Sequence, residues 1–130
     1  MILDTSFVID LMQNAANAVV KFEELSKKGE PLSITTPTVY ELFTGIARST
    51  KPDVEKQKVM KVLNEQLALP LDHVAAERAG EIHGKLTKEG KGIGPLDCMI
   101  AGIALVKKEK ILTGDIKDFS RVEGLEIVEY

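Results

Sequence analysis

MILDTSFVIDLM (Met1–Met12) sets three apolar side chains ahead of an acid, Asp4, and puts Thr5 and Ser6 directly behind it. Two readings compete. In the first, Met1 to Leu3 form a short buried strand and Asp4 to Ser6 the turn into a helix, because Asp, Ser and Thr all cap helices well. In the second, the strand exists to hold a carboxylate at its end. The partners that the rest of the chain offers Asp4 decide between them.

With 130 residues, a single domain spanning 1–130 is expected. A chain of this size buries about two thirds of its unfolded surface and needs no covalent staples. The hydrophobic fraction of 44% and charged fraction of 28% place it among ordinary globular proteins rather than disordered or fibrous ones. Cys98 is the only cysteine, which excludes an internal disulfide and a multi-cysteine metal site. A reducing, cytoplasmic location is expected. The first residues lack a basic stretch, so no signal peptide is expected. The longest uncharged apolar run, Cys98 to Val106, falls short of the ~20 residues that span a bilayer, so no membrane association is expected. The net charge of −3 counts against a partner recognised through excess Lys and Arg, such as nucleic acid.

Short apolar runs alternate with longer helical patterns. The predicted strands are Ile2–Leu3, 31–36 (PLSITT), 68–71 (ALPL), 110–113 (KILT) and 125–128 (LEIV). A helix over 15–28 stops at Gly29. Thr36 caps a helix that opens on Pro37 and runs to Ser49. Residues 52–67 carry Val59, Met60, Val62, Leu63 and Leu67 on one face, and Asp72 caps a helix with Ala75, Ala79, Ile82 and Leu86 in its stripe. Pro95 opens a helix that is apolar nearly all round, hence buried, and its small residues Ala101, Gly102 and Ala104 suit close packing on a sheet. Such alternation predicts the α/β class: a three-layer α/β/α sandwich around a mostly parallel sheet, with the helices of 36–67 as an extra hairpin between strands.

Ligands of open parallel sheets bind beyond the carboxyl ends of the strands. Asp4 ends the first strand, Asp115 follows the fourth, Glu41 lies early in the helix leaving the second, and Asp97 lies in the first turn of the buried helix. Each has an ordinary alternative. Asp4 and Asp115 suit turns, Asp97 suits the positive end of its helix, and Glu41 pairs with Thr38 at capping-box spacing. Together they imply an acidic edge, and clustered carboxylates need a cation. An all-oxygen set suits Mg2+ or Mn2+. Asp10, Asp53, Asp72 and Asp118 read as capping or surface acids. His73 and His83 lie ten residues apart on one helix, about 15 Å along its axis, and cannot converge on one phosphate. His83 reads as edging that helix's packed face, and Cys98 as a core residue.

Four stretches, ILDTSFVIDL, TPTVYELFTGIARS, GIGPLDCMIAGIAL and ILTGDIKDF, together resemble the PIN-domain family, most closely the VapC-type toxins of toxin–antitoxin pairs, over nearly the whole chain. The resemblance implies a metal-dependent ribonuclease. Carried over, Asp4, Glu41, Asp97 and Asp115 take the family's acidic positions, and Ser6 and Thr113 the small polar positions that orient them. One or two Mg2+ or Mn2+ ions would then bind the scissile phosphate and a water, with Glu41 holding that water or acting as base. Arg48, Lys51 and Lys91 are rim candidates for the RNA backbone. A homodimer is expected, as is a small antitoxin that inserts Arg or Lys into the acidic site and wraps over Phe22, Leu25, Val39, Leu42, Phe43 and Ile46.

Three other functions fit less of the chain. A phospho-acceptor signalling domain wants paired acids after the first strand, where Asp4 is followed by Thr5. A metal-dependent phosphatase with an aspartate nucleophile wants an acid two residues after Asp4, where Ser6 stands. A non-catalytic interaction module leaves all four acids without a role.

Overall fold

The computed structural model describes residues 1–130. Its strands are β1 (Ile2–Leu3), β2 (Ser33–Thr35), β3 (Leu67–Leu69), β4 (Ile111–Leu112) and β5 (Ile127–Val128), in one parallel sheet ordered β3-β2-β1-β4-β5. Seven helices flank it: α1 (Thr5–Met12), α2 (Ala16–Lys27), α3 (Thr36–Arg48), α4 (Pro52–Glu65), α5 (His73–Lys88), α6 (Pro95–Lys107) and α7 (Ile116–Phe119). This is the expected α/β/α sandwich, with α3 and α4 as the extra helical pair between β2 and β3. No helix is long and apolar enough to cross a membrane.

Two-residue strands suffice at the centre because both faces are buried. Consecutive strand residues point to opposite faces. Ile2 joins a core with Ala75, Leu86, Cys98, Ile103, Ile111 and Phe119, while Leu3 joins a second core with Phe7, Ala18, Leu25, Ile34, Leu42, Val59 and Leu112. The register pairs Ile2 with Ile111 and Leu3 with Leu112, so β4 repeats the division. Helices α5 and α6 therefore close one face and α1 to α4 the other. Each Ile or Leu so enclosed contributes about 1.5–3 kcal/mol. Successive strands extend from β1 to β2 and β3 on one side and to β4 and β5 on the other. The switch point lies between β1 and β4, where Asp4 and Asp115 leave the sheet.

Several expected details differ. Helix α4 ends at Glu65 rather than Leu67, because Gln66 is already extended and Leu67 pairs with Ser33 as the first residue of edge strand β3. Thr35 rather than Thr36 caps α3, accepting from the Thr38 N–H at 3.3 Å. Helix α7 was not anticipated. Asp115 caps it, accepting from the Asp118 N–H at 3.4 Å, and Phe119 anchors it in the core. Among the residues expected to receive a partner, Leu25 and Leu42 are buried in the second core, and Phe22, Val39 and Ile46 pack against it; Phe43 alone is exposed. His83 is exposed rather than set against the packed face.

Gly102 serves a helix–helix approach rather than contact with the sheet. A Cβ there would lie 2.8 Å from the Ala75 carbonyl oxygen and 2.9 Å from the Ala79 nitrogen, both backbone atoms of α5. In an open helix, Gly→Ala stabilises by about 1 kcal/mol. Here Gly102→Ala is expected to destabilise by about 1–3 kcal/mol, because α5 and α6 must move apart. Denaturant melts of the two proteins measure the sign; a stabilised variant would show that the two helices are free to separate.

Candidate active site

Asp4 occupies the capping position of α1 but makes no side-chain capping bond. Its carboxylate turns to the sheet edge instead, where Thr113 Oγ1 donates to Oδ2 at 2.7 Å and Ser6 Oγ donates to the same oxygen at 3.0 Å. Both hydroxyls are themselves held by the turn after β4: Thr113 Oγ1 accepts from the Asp115 N–H at 2.9 Å, and Ser6 Oγ from the Gly114 N–H at 3.2 Å. Asp4 is 4% exposed, and its other oxygen, Oδ1, is buried without a partner. Burial raises its pKa, against the opposing effect of the bonds from Thr113 and Ser6. The opening stretch is a short buried strand leading into a helix, and the Asp4 carboxylate between them is held by Ser6 and Thr113.

Glu41 does not form the capping box with Thr38. The Thr38 hydroxyl is buried among Thr35, at 3.2 Å, and Thr5, at 3.0 Å. Thr5 Oγ1 in turn donates to Glu41 Oε1 at 2.7 Å. The role of Thr5 as the support of Glu41 was missed, since the two are 36 residues apart and no local spacing announces them.

Asp97, in the first turn of α6, is the electrostatic centre. Burial pushes its carboxyl up to about 7, and the charges of Asp4, Asp115, Glu41 and Asp118 add to the effect in that order. Asp97, Asp115 and Asp118 each offer an oxygen within 4.8 Å of the others. Asp118 was read as a capping or surface acid and instead joins this group; Asp4 and Glu41 lie outside the tight group of three while still acting on Asp97. The available signal was the three-residue spacing from Asp115, which places both acids on one side of a short helix. Elsewhere, Asp72 caps α5 as expected, accepting from the Ala75 N–H at 2.9 Å. Cys98 is a core residue, and His73 faces only Glu77, at 3.7 Å, in full exposure.

A divalent cation fits this arrangement on two grounds. The unpartnered Asp4 Oδ1 is a buried acceptor lacking a donor, which native interiors rarely leave unsatisfied. Three further carboxylates converge beside it, an all-oxygen donor set of the kind Mg2+ and Mn2+ accept.

The raised pKa of Asp97 has a definite sign for stability. In the unfolded chain its carboxyl ionises near 3.8; in the metal-free fold it resists ionisation up to about 7. Its contribution is intact below pH 4 and is lost as pH rises through that window. Asp97→Asn should therefore flatten the fall in melting temperature between about pH 4 and pH 7, and leave the metal-free protein as stable as wild type or more so at pH 8. Melting curves in EDTA test this; a variant that melts far below wild type at pH 8 would make Asp97 a structural residue.

A family model for the PIN domain matches residues 1–125. The tRNA(fMet)-specific endonuclease VapC of Shigella flexneri is 30% identical over 123 residues, covering 95% of this chain and 92% of that protein. The DNA-bound VapBC structure from Salmonella typhimurium superimposes with a TM-score of 0.89 at 27% identity, covering 98% of this chain and 96% of that one. VapBC2 of Rickettsia felis, bound to a fragment of promoter DNA, shares the fold with a TM-score of 0.90 at 22% identity, covering 99% and 97%. Together with a parallel sheet whose switch point gathers acids from β1, α3, α6 and α7, these likenesses make the chain a member of the PIN-domain family, within the group that holds the VapC endonucleases.

Proposed function

We propose that this chain is a Mg2+- or Mn2+-dependent endoribonuclease, the toxin of a toxin–antitoxin pair, with Asp4, Asp97, Asp115 and Glu41 as its working acids and Asp118 beside them. The observation that carries this reading is the convergence of Asp97, Asp115 and Asp118, each with an oxygen within 4.8 Å of the others, in a fold that also leaves the buried Asp4 Oδ1 without a donor. Like charges held so close cost stability, and a bound cation or a retained proton relieves that cost.

Asp4, Asp97 and Asp115 would hold the ion, with Ser6 and Thr113 fixing Asp4. When bound, the ion lowers the pKa of a water and stabilises charge on the phosphate. Glu41 Oε1 is engaged by Thr5, which leaves Oε2 to orient the attacking water in line with phosphorus. The water attacks phosphorus and the 3′ oxygen leaves, so the 2′-hydroxyl takes no part. Arg48, exposed in an open depression with Glu41, Tyr40, Thr44 and Leu96, would meet the RNA backbone. The phospho-acceptor alternative lacks an acid adjacent to Asp4 in the chain, where Thr5 stands, the phosphatase alternative lacks one two residues on, where Ser6 stands, and a binding module leaves the acid cluster unexplained.

An antitoxin partner accords with the VapBC complexes this fold resembles. A guanidinium or ammonium from that partner would substitute for the cation among the acids, Arg being favoured by its planar fork. The body of the partner would lie in the groove between α1, α3 and α4, about 350 Å3 and lined by Ile9, Met12, Gly45, Ile46 and Lys58.

Cleavage of RNA should leave 5′-phosphate and 3′-hydroxyl ends and should stop in EDTA. End-group analysis checks both; a 2′,3′-cyclic phosphate, or activity that survives chelation, would rule the metal mechanism out. Co-purification with the small protein encoded beside this chain should abolish nuclease activity, and a complex as active as the free chain would rule out control by occupation of the site.

A further inference from the structure

Asp4 and Asp115 reach the site from different segments, and a third segment, carrying Tyr130, bridges them. The Tyr130 hydroxyl donates to Asp10 Oδ2 at 2.5 Å, on α1 one turn beyond Ser6. Its ring stands edge-on to Phe7, also on α1, with centroids 4.8 Å apart and an interplanar angle of 83°. The same side chain fills the space in front of Gly114, where a Cβ would come within 3.1 Å of the Tyr130 hydroxyl oxygen. Gly114 belongs to the turn that presents Asp115, and its N–H donates to Ser6 Oγ.

We propose that Tyr130 is a positioning residue for the acidic site, locking α1 against the turn after β4 so that Ser6, Thr113 and Gly114 keep Asp4 and Asp115 in place. The proposal rests on the metal-dependent reading above. The logic is geometric. Ser6 is the polar link from α1 to that turn, accepting from the Gly114 N–H at 3.2 Å and lying 3.4 Å from the Thr113 hydroxyl. Ser6 and Asp10 are four residues apart and share a helix face. A clamp at Asp10 therefore sets the height of Ser6 over the turn. Burial and the Asp10 carboxylate push the Tyr130 phenol up to about 12, so it stays a donor at any working pH. The ring contact with Phe7 anchors the clamp in the second core, where Phe7 is wholly buried.

The test uses Tyr130→Phe, which keeps the ring and removes the donor, with Tyr130→Ala as the stronger change. Two readouts are taken on the full chain: amide exchange of Gly114 and Asp115 in EDTA, and Mn2+ affinity by calorimetry. Tyr130→Phe should retain near-wild-type melting, exchange both amides faster, and bind Mn2+ about tenfold more weakly, the lower end of the loss seen when an outer partner of a metal site is removed. Tyr130→Ala should lose more on both counts. Unchanged amide exchange in Tyr130→Phe would overturn the clamp. Faster exchange with unchanged Mn2+ affinity would overturn its role in positioning the acids. Faster exchange in a protein whose wild type binds no Mn2+ would uphold the clamp and overturn the metal reading instead.

Discussion

Two hydroxyls donating to one oxygen of Asp4 hold the acidic edge together. A carboxylate at the end of an apolar strand would ordinarily turn to water or give up its charge. Thr113 and Ser6 both donate to Oδ2, at 2.7 and 3.0 Å, and so keep it at the sheet edge. Each hydroxyl also accepts an N–H from the turn after β4. The same four groups thus fasten β1 to β4 at the switch point and orient the segment that presents Asp115 and Asp118. With Oδ2 saturated, Oδ1 is left as a buried acceptor without a donor. That oxygen is an acceptor a bound cation would satisfy.

The surrounding core makes such an edge tolerable. Five acids gather at this edge, and burial at the start of an apolar helix, with the neighbouring charges adding to it, holds the Asp97 carboxyl well above the usual carboxylate range. The opposing stabilisation comes from two cores on the two faces of a sheet whose central strands are only two residues long. Helix α6 links the two demands. Its body, from Cys98 to Ala104, fills one core and packs against α5 closely enough that Gly102 has no room for a side chain, while its first turn carries Asp97. Rigidity in the body fixes the position of an acid that would otherwise swing away from its neighbours.

The charge balance is consistent with this division. A net charge of −3 argues against a protein that holds nucleic acid through a broad basic surface. The acids responsible are partly those of the cleft, where a bound cation would reverse the local potential. Arg48 shares an open depression with Glu41, and Glu41 is tied through Thr5 to the opening helix.

Much of this was legible in the order of residues. The alternation of short apolar runs with capped helical stretches determined the α/β class, and Asp4, Glu41, Asp97 and Asp115 each stand at a strand end or in the first turns of a helix, where local punctuation marks them. Ser6 lies two residues from Asp4, so its support of that acid was visible as well. What sequence could not decide depended on distance in space. Thr5 and Glu41, Ser6 and Gly114, and Tyr130 and Asp10 are separated by 36, 108 and 120 residues, and only the parallel crossovers bring them within hydrogen-bond reach. Asp118 was passed over because a four-residue helix is too short for its periodicity to show, and its place beside Asp97 arises only when Phe119 is drawn into the core. The small residues of α6 announced a close approach, but which neighbour they meet is settled by α5 lying across Gly102. Local chemistry determined which side chains could serve; the switch point of the sheet decided which of them meet, because contacts across a parallel sheet carry no signature in the spacing along the chain.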